Sequence, residues 1–187
     1  SISASGSLDQ SSVTLSALSA NLAPSLALMA DVVRNPAFDA GDVARVKDQQ
    51  LAELAQTLAS PGSLASRELG RMLFGAHPYA QPGDGLGDAA SIKAMTPAAL
   101  RAAHEKWLRP DMARITVAGD VTMAQLLPLL ETAFGNWKPP TVSQPIKHLD
   151  AAIPPPSAKI VVIDRSDSPQ SVIYAGRVLP LTGQMQG

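Results

Sequence analysis

Hydrophobic and polar positions change period several times along the chain, and each change marks an element. Ser12-Val-Thr-Leu-Ser-Ala-Leu18 alternates polar and apolar, the two-residue period of a half-buried strand. From Leu22 the period lengthens: Leu22, Leu26, Met29 and Val33 recur at helical spacing, and Pro24 is tolerated in a first turn. Asn35-Pro36 ends that helix, because a residue before proline avoids the helical region. A long helix is predicted from about Ala40 to Leu58, with Val43, Val46, Gln50, Leu51, Leu54 and Leu58 on one face. Ser60-Pro61-Gly62 interrupts it, and Ser63 is placed to cap a third helix through Phe74, with Leu64, Leu69, Met72 and Leu73 inward. Gly75 suits a left-handed terminus.

Residues 75–88 hold four glycines and two prolines and predict a loop of demanding backbone geometry. Thr96-Pro97 opens a helix to about Leu108 with a cap and an N1 proline. After Arg109-Pro110-Asp111, the β-branched run Arg114-Ile-Thr-Val-Ala118 predicts a strand closed by Gly119-Asp120. Thr122 caps a helix with Met123, Leu126, Leu127, Leu130 and Phe134 in register; Pro128 inside it predicts a bend or a delayed start.

Residues 138–158 contain six prolines and few large apolar groups, a semi-extended linker. Beyond it, Ile160-Val-Val-Ile163 and Val172-Ile-Tyr-Ala175 predict two strands joined through residues 164–170, which need a partner surface to form a core. The expected organisation is an α+β domain over 1–137, a proline-rich linker over 138–158, and over 159–187 the first strands of a following unit. The fold class expected is a mainly antiparallel sheet with helices packed on one face. The start at Ser1-Ile-Ser-Ala4 and the stop at Gly187 predict cuts through a longer polypeptide.

Composition narrows the function. In 187 residues, 45% are hydrophobic and 17% charged, enough apolar material for a core. Fifteen Lys and Arg against sixteen Asp and Glu leave no basic block, which argues against a nucleic-acid partner. No uninterrupted apolar stretch approaches the roughly 18 residues a membrane helix needs. With no cysteine, disulfides, thiolate zinc sites and cysteine nucleophiles are all excluded.

Candidate chemistry is sparse. His77, His104 and His148 are separated by 27 and 44 positions, whereas a helical zinc pair needs imidazoles about four residues apart. His104-Glu-Lys-Trp-Leu108 begins like H-E-x-x-H but has Leu108 at the second ligand position. His77 has no carboxylate or nucleophile at defined spacing, so it reads as a pin holding the glycine/proline loop, together with Tyr79. No serine sits in a G-x-S-x-G elbow, and Gly83-Asp-Gly-Leu-Gly87 lacks the Lys-Ser/Thr of a phosphate loop. Glu53 and Glu68 read as solvated helix carboxylates. No catalytic, cofactor-binding or metal-ligating residue is assigned.

The order of the pieces carries more than any one of them. Leu26-Ala-Leu-Met-Ala-Asp-Val-Val-Arg-Asn-Pro-Ala-Phe38 and a long helix are followed by Leu73-Phe-Gly-Ala-His-Pro-Tyr79. Then come Ile92-Lys-Ala-Met-Thr-Pro-Ala-Ala-Leu100, Trp107-Leu-Arg-Pro-Asp111, Ile115-Thr-Val-Ala-Gly-Asp120 and Phe134-Gly-Asn-Trp137. From about residue 8 to 180 this set resembles the pitrilysin/insulinase family of zinc metallopeptidases, which includes processing peptidases and non-catalytic core subunits. An active half of that family carries H-x-x-E-H, two zinc-binding histidines and a general base, with a third carboxylate ligand on a later helix. This chain has no H-x-x-E-H. The resemblance sets Glu53 at the third-ligand position, but Val46 falls where active members carry a supporting acid, and the upstream strand lacks an aromatic.

The resemblance therefore implies the second, non-catalytic half of a zinc peptidase, enclosing peptide substrate beside a partner half in the same chain or another subunit. Alternatives are a truncated catalytic half, with Glu53 as a lone ligand, and a non-peptidase scaffold paralogue. A carbohydrate or small-ligand module using the loop is a further rival and predicts a deep pocket at 75–88. In every peptidase reading zinc belongs to the parent protein or partner half, the fragment is inactive alone, self-association through its strands is expected, and the parent is expected to be periplasmic or membrane-associated.

Overall fold

The computed structural model describes residues 1–155, 157–165 and 168–179. Pro156 of the expected linker, and residues 166–167 and 180–187 of the expected terminal strand segment, lie outside the described residues. The chain forms helices with a small antiparallel sheet, and it divides into two compact units: residues 1–46 with 94–146, and residues 47–93 with those from 147 on.

In the first unit, β1 (Ile2–Gly6) and β2 (Ser11–Leu15) pair antiparallel, with Ile2 opposite Leu15 and Ala4 opposite Val13. That register puts Ile2, Ala4, Val13 and Leu15 on one face, the only face with large apolar groups to bury. β1 has a single large apolar residue, too little for an alternation signal; its pairing comes from the hairpin, closed where Ser7 N–H donates to the Gln10 carbonyl at 2.8 Å. Helix α1 (Leu22–Arg34) buries Leu26, Ala30 and Val33, one stripe at i, i+4, i+7 that packs against β2 and the last helix of the unit. It stops where Asn35 N–H reaches the Asp31 carbonyl at 2.8 Å, one residue before Pro36.

Helix α2 (Ala40–Ala59) starts in this unit and continues into the second. Two later helices complete the first unit. Helix α5 (Pro97–Trp107) is capped by Thr96, whose Oγ1 accepts from Ala99 N–H at 3.1 Å. Helix α6 (Met123–Phe134) is fixed by a reciprocal cap: Thr122 Oγ1 accepts from Gln125 N–H, and Gln125 Oε1 accepts from Thr122 N–H at 3.0 Å. This cap starts the helix at Met123, so Pro128 causes no delay. The helix runs unbroken across the proline because only one N–H is lost while Leu126 is buried and α6 packs on α1. Arg34 Nη1 ties the two helix ends by donating to the Ala133 carbonyl at 3.0 Å.

The run 114–118, expected as a strand, carries no ladder pairing among the described residues, and Ile115 and Val117 are exposed. β-Branched composition favours a pleated surface only where a partner strand is present to pack on.

The second unit holds the rest of α2, α3 (Pro61–Phe74) and the short α4 (Ala89–Ala94). The cap of α3 is Ser60, not Ser63: Ser60 is extended, its side chain accepts from Ser63 N–H, and Pro61 takes the first helical position. Leu54, Leu86 and Ile92 form the core with Leu51 against them. Val46 and Leu58, expected on the inward face of α2, are exposed. Ile92 is the most buried side chain, 1% exposed, and Ile92→Val removes one methylene from this small cluster. A loss of about 1 kcal/mol in a urea titration is expected.

Gly75 ends α3 with φ +59, and its N–H donates to the Arg71 carbonyl at 2.9 Å. A Cβ there would lie 2.6 Å from Pro154 Cγ, so both the dihedral and the close approach require glycine. Residues 160–163 and 172–178 have no ladder pairing among the described residues. They line a groove along α3, where Gly176 approaches Leu69 and Leu73.

Candidate functional site

Each histidine is placed by a local reason. His77 sits between Gly75 and the turn Pro78–Ala80, and it is 5% exposed. Its Nδ1 accepts from Tyr79 N–H at 3.1 Å, which leaves Nε2 as the donor to the Leu149 carbonyl at 3.1 Å. The Phe74, His77 and Tyr79 rings cluster with centroids 5.2–6.3 Å apart. Both ring nitrogens are thus engaged with main chain, and the residue pins its loop. His104 on α5 lies with Nε2 2.7 Å from the Val33 carbonyl and meets Phe38 edge-on at 6.0 Å. His148 is exposed.

Glu53 is exposed on α2, and Glu68 makes a 3.3 Å ion pair with Arg71. Among the described residues no group of three or more His, Cys, Asp or Glu could hold a metal ion. The residues present therefore do not fit the zinc that the family resemblance implies, and no step through a metal is derived for this chain. Glu53→Gln is expected to change unfolding free energy by less than about 0.5 kcal/mol in a denaturant titration, as for an exposed surface position.

Two buried arginines organise the loops; in the sequence Arg109 marks only a turn, and Arg67 carries no signal. Arg67 faces inward from α3, 7% exposed, and its guanidinium donates to Asp84 Oδ2 and to the Gly87 carbonyl. Asp84 Oδ1 accepts from Leu86 N–H at 3.0 Å, so one ion pair closes the glycine-rich end of loop 75–88 over Leu86. Burial raises the Asp84 carboxyl, but the Arg67 and Leu86 hydrogen bonds and the Arg67 charge outweigh it and hold the group below its usual range.

Arg109 follows α5 and is 3% exposed. It holds Asp111 bidentately, Nε to Oδ1 at 3.0 Å and Nη2 to Oδ2 at 2.9 Å, and donates at 3.0 Å to the carbonyls of Val142 and Ser143. Gln144 Nε2 completes the clasp with bonds of 3.0 and 3.1 Å to the Asp111 carbonyl and Oδ2. The Arg109 hydrogen bond keeps the Asp111 carboxyl below its usual range, against a smaller opposing effect of burial. Residues 142 and 143, in the early part of the proline-rich segment, are thus fastened by side-chain hydrogen bonds from Arg109 to their carbonyls. Arg-x-Asp at 109–111 was the available signal, but the partners at 142 and 143 lie more than thirty residues away.

Neither of the two clefts described below is lined by residues 75–88, where a small-ligand module would have its pocket. One, in the first unit, has a volume of about 460 Å³ and is walled by Phe38, Arg101, His104 and Trp137 among others. The other is the groove along α3, about 1120 Å³.

Among solved structures, the crystal structure of the peptidase M16 inactive domain from Pseudomonas fluorescens superimposes with a TM-score of 0.68 at 35% identity, covering 74% of this chain and 34% of that one. The crystal structure of a protease from Helicobacter pylori gives 0.72 at 21% identity over 82% of this chain and 36% of its own, a likeness of fold. Helices on a small antiparallel sheet with this likeness define a metallopeptidase-half fold, present here as a partial domain. Residues 94–184 match the family model of the peptidase M16 inactive domain. Two mycobacterial proteins, both described as uncharacterized zinc proteases, are similar over 119 residues. That of Mycobacterium bovis is 32% identical and that of Mycobacterium leprae 30%, each match covering 64% of this chain. The match spans only 27% and 26% of those proteins, so the chain corresponds to about a quarter of their length. The chain is thus similar, over residues 94–184 and across these relatives, to the inactive domain of M16 peptidases.

Proposed function

We propose that this chain is a peptide-enclosing wall of a zinc-dependent metallopeptidase, working against a partner half that carries H-x-x-E-H and the zinc. In this reading residues 1–137 form the wall domain, 138–158 connect it, and 159–187 begin the following homologous domain. The observation that carries it is the match of residues 94–184 to an inactive-domain model, joined to the histidine geometry. His77 has both ring nitrogens on main-chain partners, and His104 holds the Val33 carbonyl. A zinc ligand needs a free ring nitrogen and companion ligands converging on the ion: His77 has no free nitrogen, and among the described residues His104 belongs to no group of three or more His, Cys, Asp or Glu that could hold a metal.

The chain alone is expected to leave a fluorogenic peptide intact. Mixed with the histidine-bearing half of its own parent protease, it is expected to raise cleavage at least tenfold over that half by itself. Peptide cleavage by the purified chain alone, abolished by a chelator, would overturn the proposal. An unchanged rate in the mixture would favour a scaffold role.

A further inference from the structure

In the first unit a cleft of about 460 Å³ opens between the end of α1, α5 and the segment after α6, a volume within the range of small-ligand sites. Its walls are aromatic and its charge is one-sided. Phe38 and Trp137 supply ring surface, and Arg34, Arg101 and Lys138 face a single carboxylate among the lining residues, Glu105. Among the described residues no carboxylate lies in ion-pair contact with any of these three cations.

The cations are held in place from behind. Arg101 Nη2 donates to the Ala37 carbonyl at 3.1 Å while its Cζ stands 5.7 Å from the Phe38 ring centroid. Arg34 Nη1 is fixed on the Ala133 carbonyl, and Lys138 Nζ donates to the Gly135 carbonyl at 3.2 Å. A guanidinium has five N–H groups, so each arginine keeps donors beyond the one that anchors it. Phe38 itself has φ +47, an uncommon value for a bulky residue, and the ring is clamped between Arg101 and His104. Fixed cations beside flat apolar walls suit an anion carried on an apolar group. A carboxylate takes forked hydrogen bonds from a guanidinium, and its substituent stacks on the ring.

We propose that this cleft binds a carboxylate carried on an aromatic or apolar group, of which a peptide C-terminus ending in such a residue is one source and a small aromatic acid the other. The peptide source rests on the peptide-enclosing reading above; the cleft itself does not, and its test needs no zinc-bearing half, so the two can fail separately.

The test is a titration of the whole chain, followed by calorimetry, with three probes: a hexapeptide ending in a free phenylalanine carboxylate, the same peptide as its C-terminal amide, and phenylacetate. The acid peptide is expected to bind at least tenfold more tightly than the amide, and its affinity to fall as salt rises. Acid peptide stronger than phenylacetate identifies the peptide source; equal affinities identify the small acid. Arg101→Gln and Lys138→Gln are each expected to weaken binding severalfold. Lys138 is an exposed residue beyond α6, so its variant remains informative if Arg101→Gln disturbs the turn at Ala37. Equal binding of acid and amide, no binding of either acid, or unchanged affinity in both variants would overturn the proposal.

Discussion

Arg109→Ala is expected to lower the unfolding free energy by about 3 kcal/mol, the scale for removing one partner of a buried, fully hydrogen-bonded charge. The side chain is almost wholly enclosed and makes four hydrogen bonds, two to Asp111 and one each to the carbonyls of Val142 and Ser143. Alanine would leave both carbonyls without that donor and remove the fork that steadies Asp111. Lysine keeps the charge but not the planar fork, so Arg109→Lys is expected to recover less than half of the loss. Urea titrations of the three proteins measure this. A change below about 0.5 kcal/mol would mean that the clasp is replaceable by water.

Arg67→Ala is expected to cost about 2–3 kcal/mol, somewhat less because its guanidinium makes two hydrogen bonds where that of Arg109 makes four. The same pair predicts a pH dependence. Asp84 has a folded-state pKa below its ordinary 3.8, so its contribution is fully present above that value and is lost as pH falls through the lower folded value. Asp111 is shifted in the same direction and adds to the trend. Stability should therefore decline as pH drops below about 4, and the decline should be shallower in Arg67→Ala. An identical acid limb in the variant would show that the pair does not set it.

Helices α1, α2, α3, α5 and α6 were legible in the sequence because their signals are local, whereas the six-residue α4 is too short to show a period. Thr96-Pro97, Thr122, Asn35-Pro36 and Gly75 fix helix ends through atoms within four residues, and all of these ends fall where the sequence places them. Ser60 rather than Ser63 caps α3 because a cap precedes proline at the first position; both serines fit the pattern, and the extended backbone at Ser60 decides. Strands were less legible. Arg114–Ala118 has strand composition without ladder pairing among the described residues, whereas Ile2–Gly6 has little strand signal and pairs through its hairpin. Pairing is a property of two segments, and composition reports on one.

The candidate site divides the same way. The spacing of His77, His104 and His148 and the missing H-x-x-E-H were visible directly. That Phe38, Arg101 and Trp137 share one cleft depends on bringing together residues 36 to 99 positions apart, for which periodicity carries no signal. Arg67 and Arg109 were hidden for a related reason: a buried arginine reads as an exposed one until its distant carbonyl partners are known.

Elsewhere, Ile160, Val162 and Ile173 are 84–91% exposed, so concentration-dependent self-association by sedimentation is expected to accompany any preparation of this chain.

In the proposed function this chain lends shape, not a metal, to a peptidase. Elemental analysis of the purified, tag-free chain after dialysis against zinc at low micromolar concentration tests it most directly. The account predicts well under one-tenth of a zinc ion per chain, unchanged by Glu53→Gln. One tightly held zinc per chain, lost in Glu53→Gln or on replacing a histidine, would contradict it.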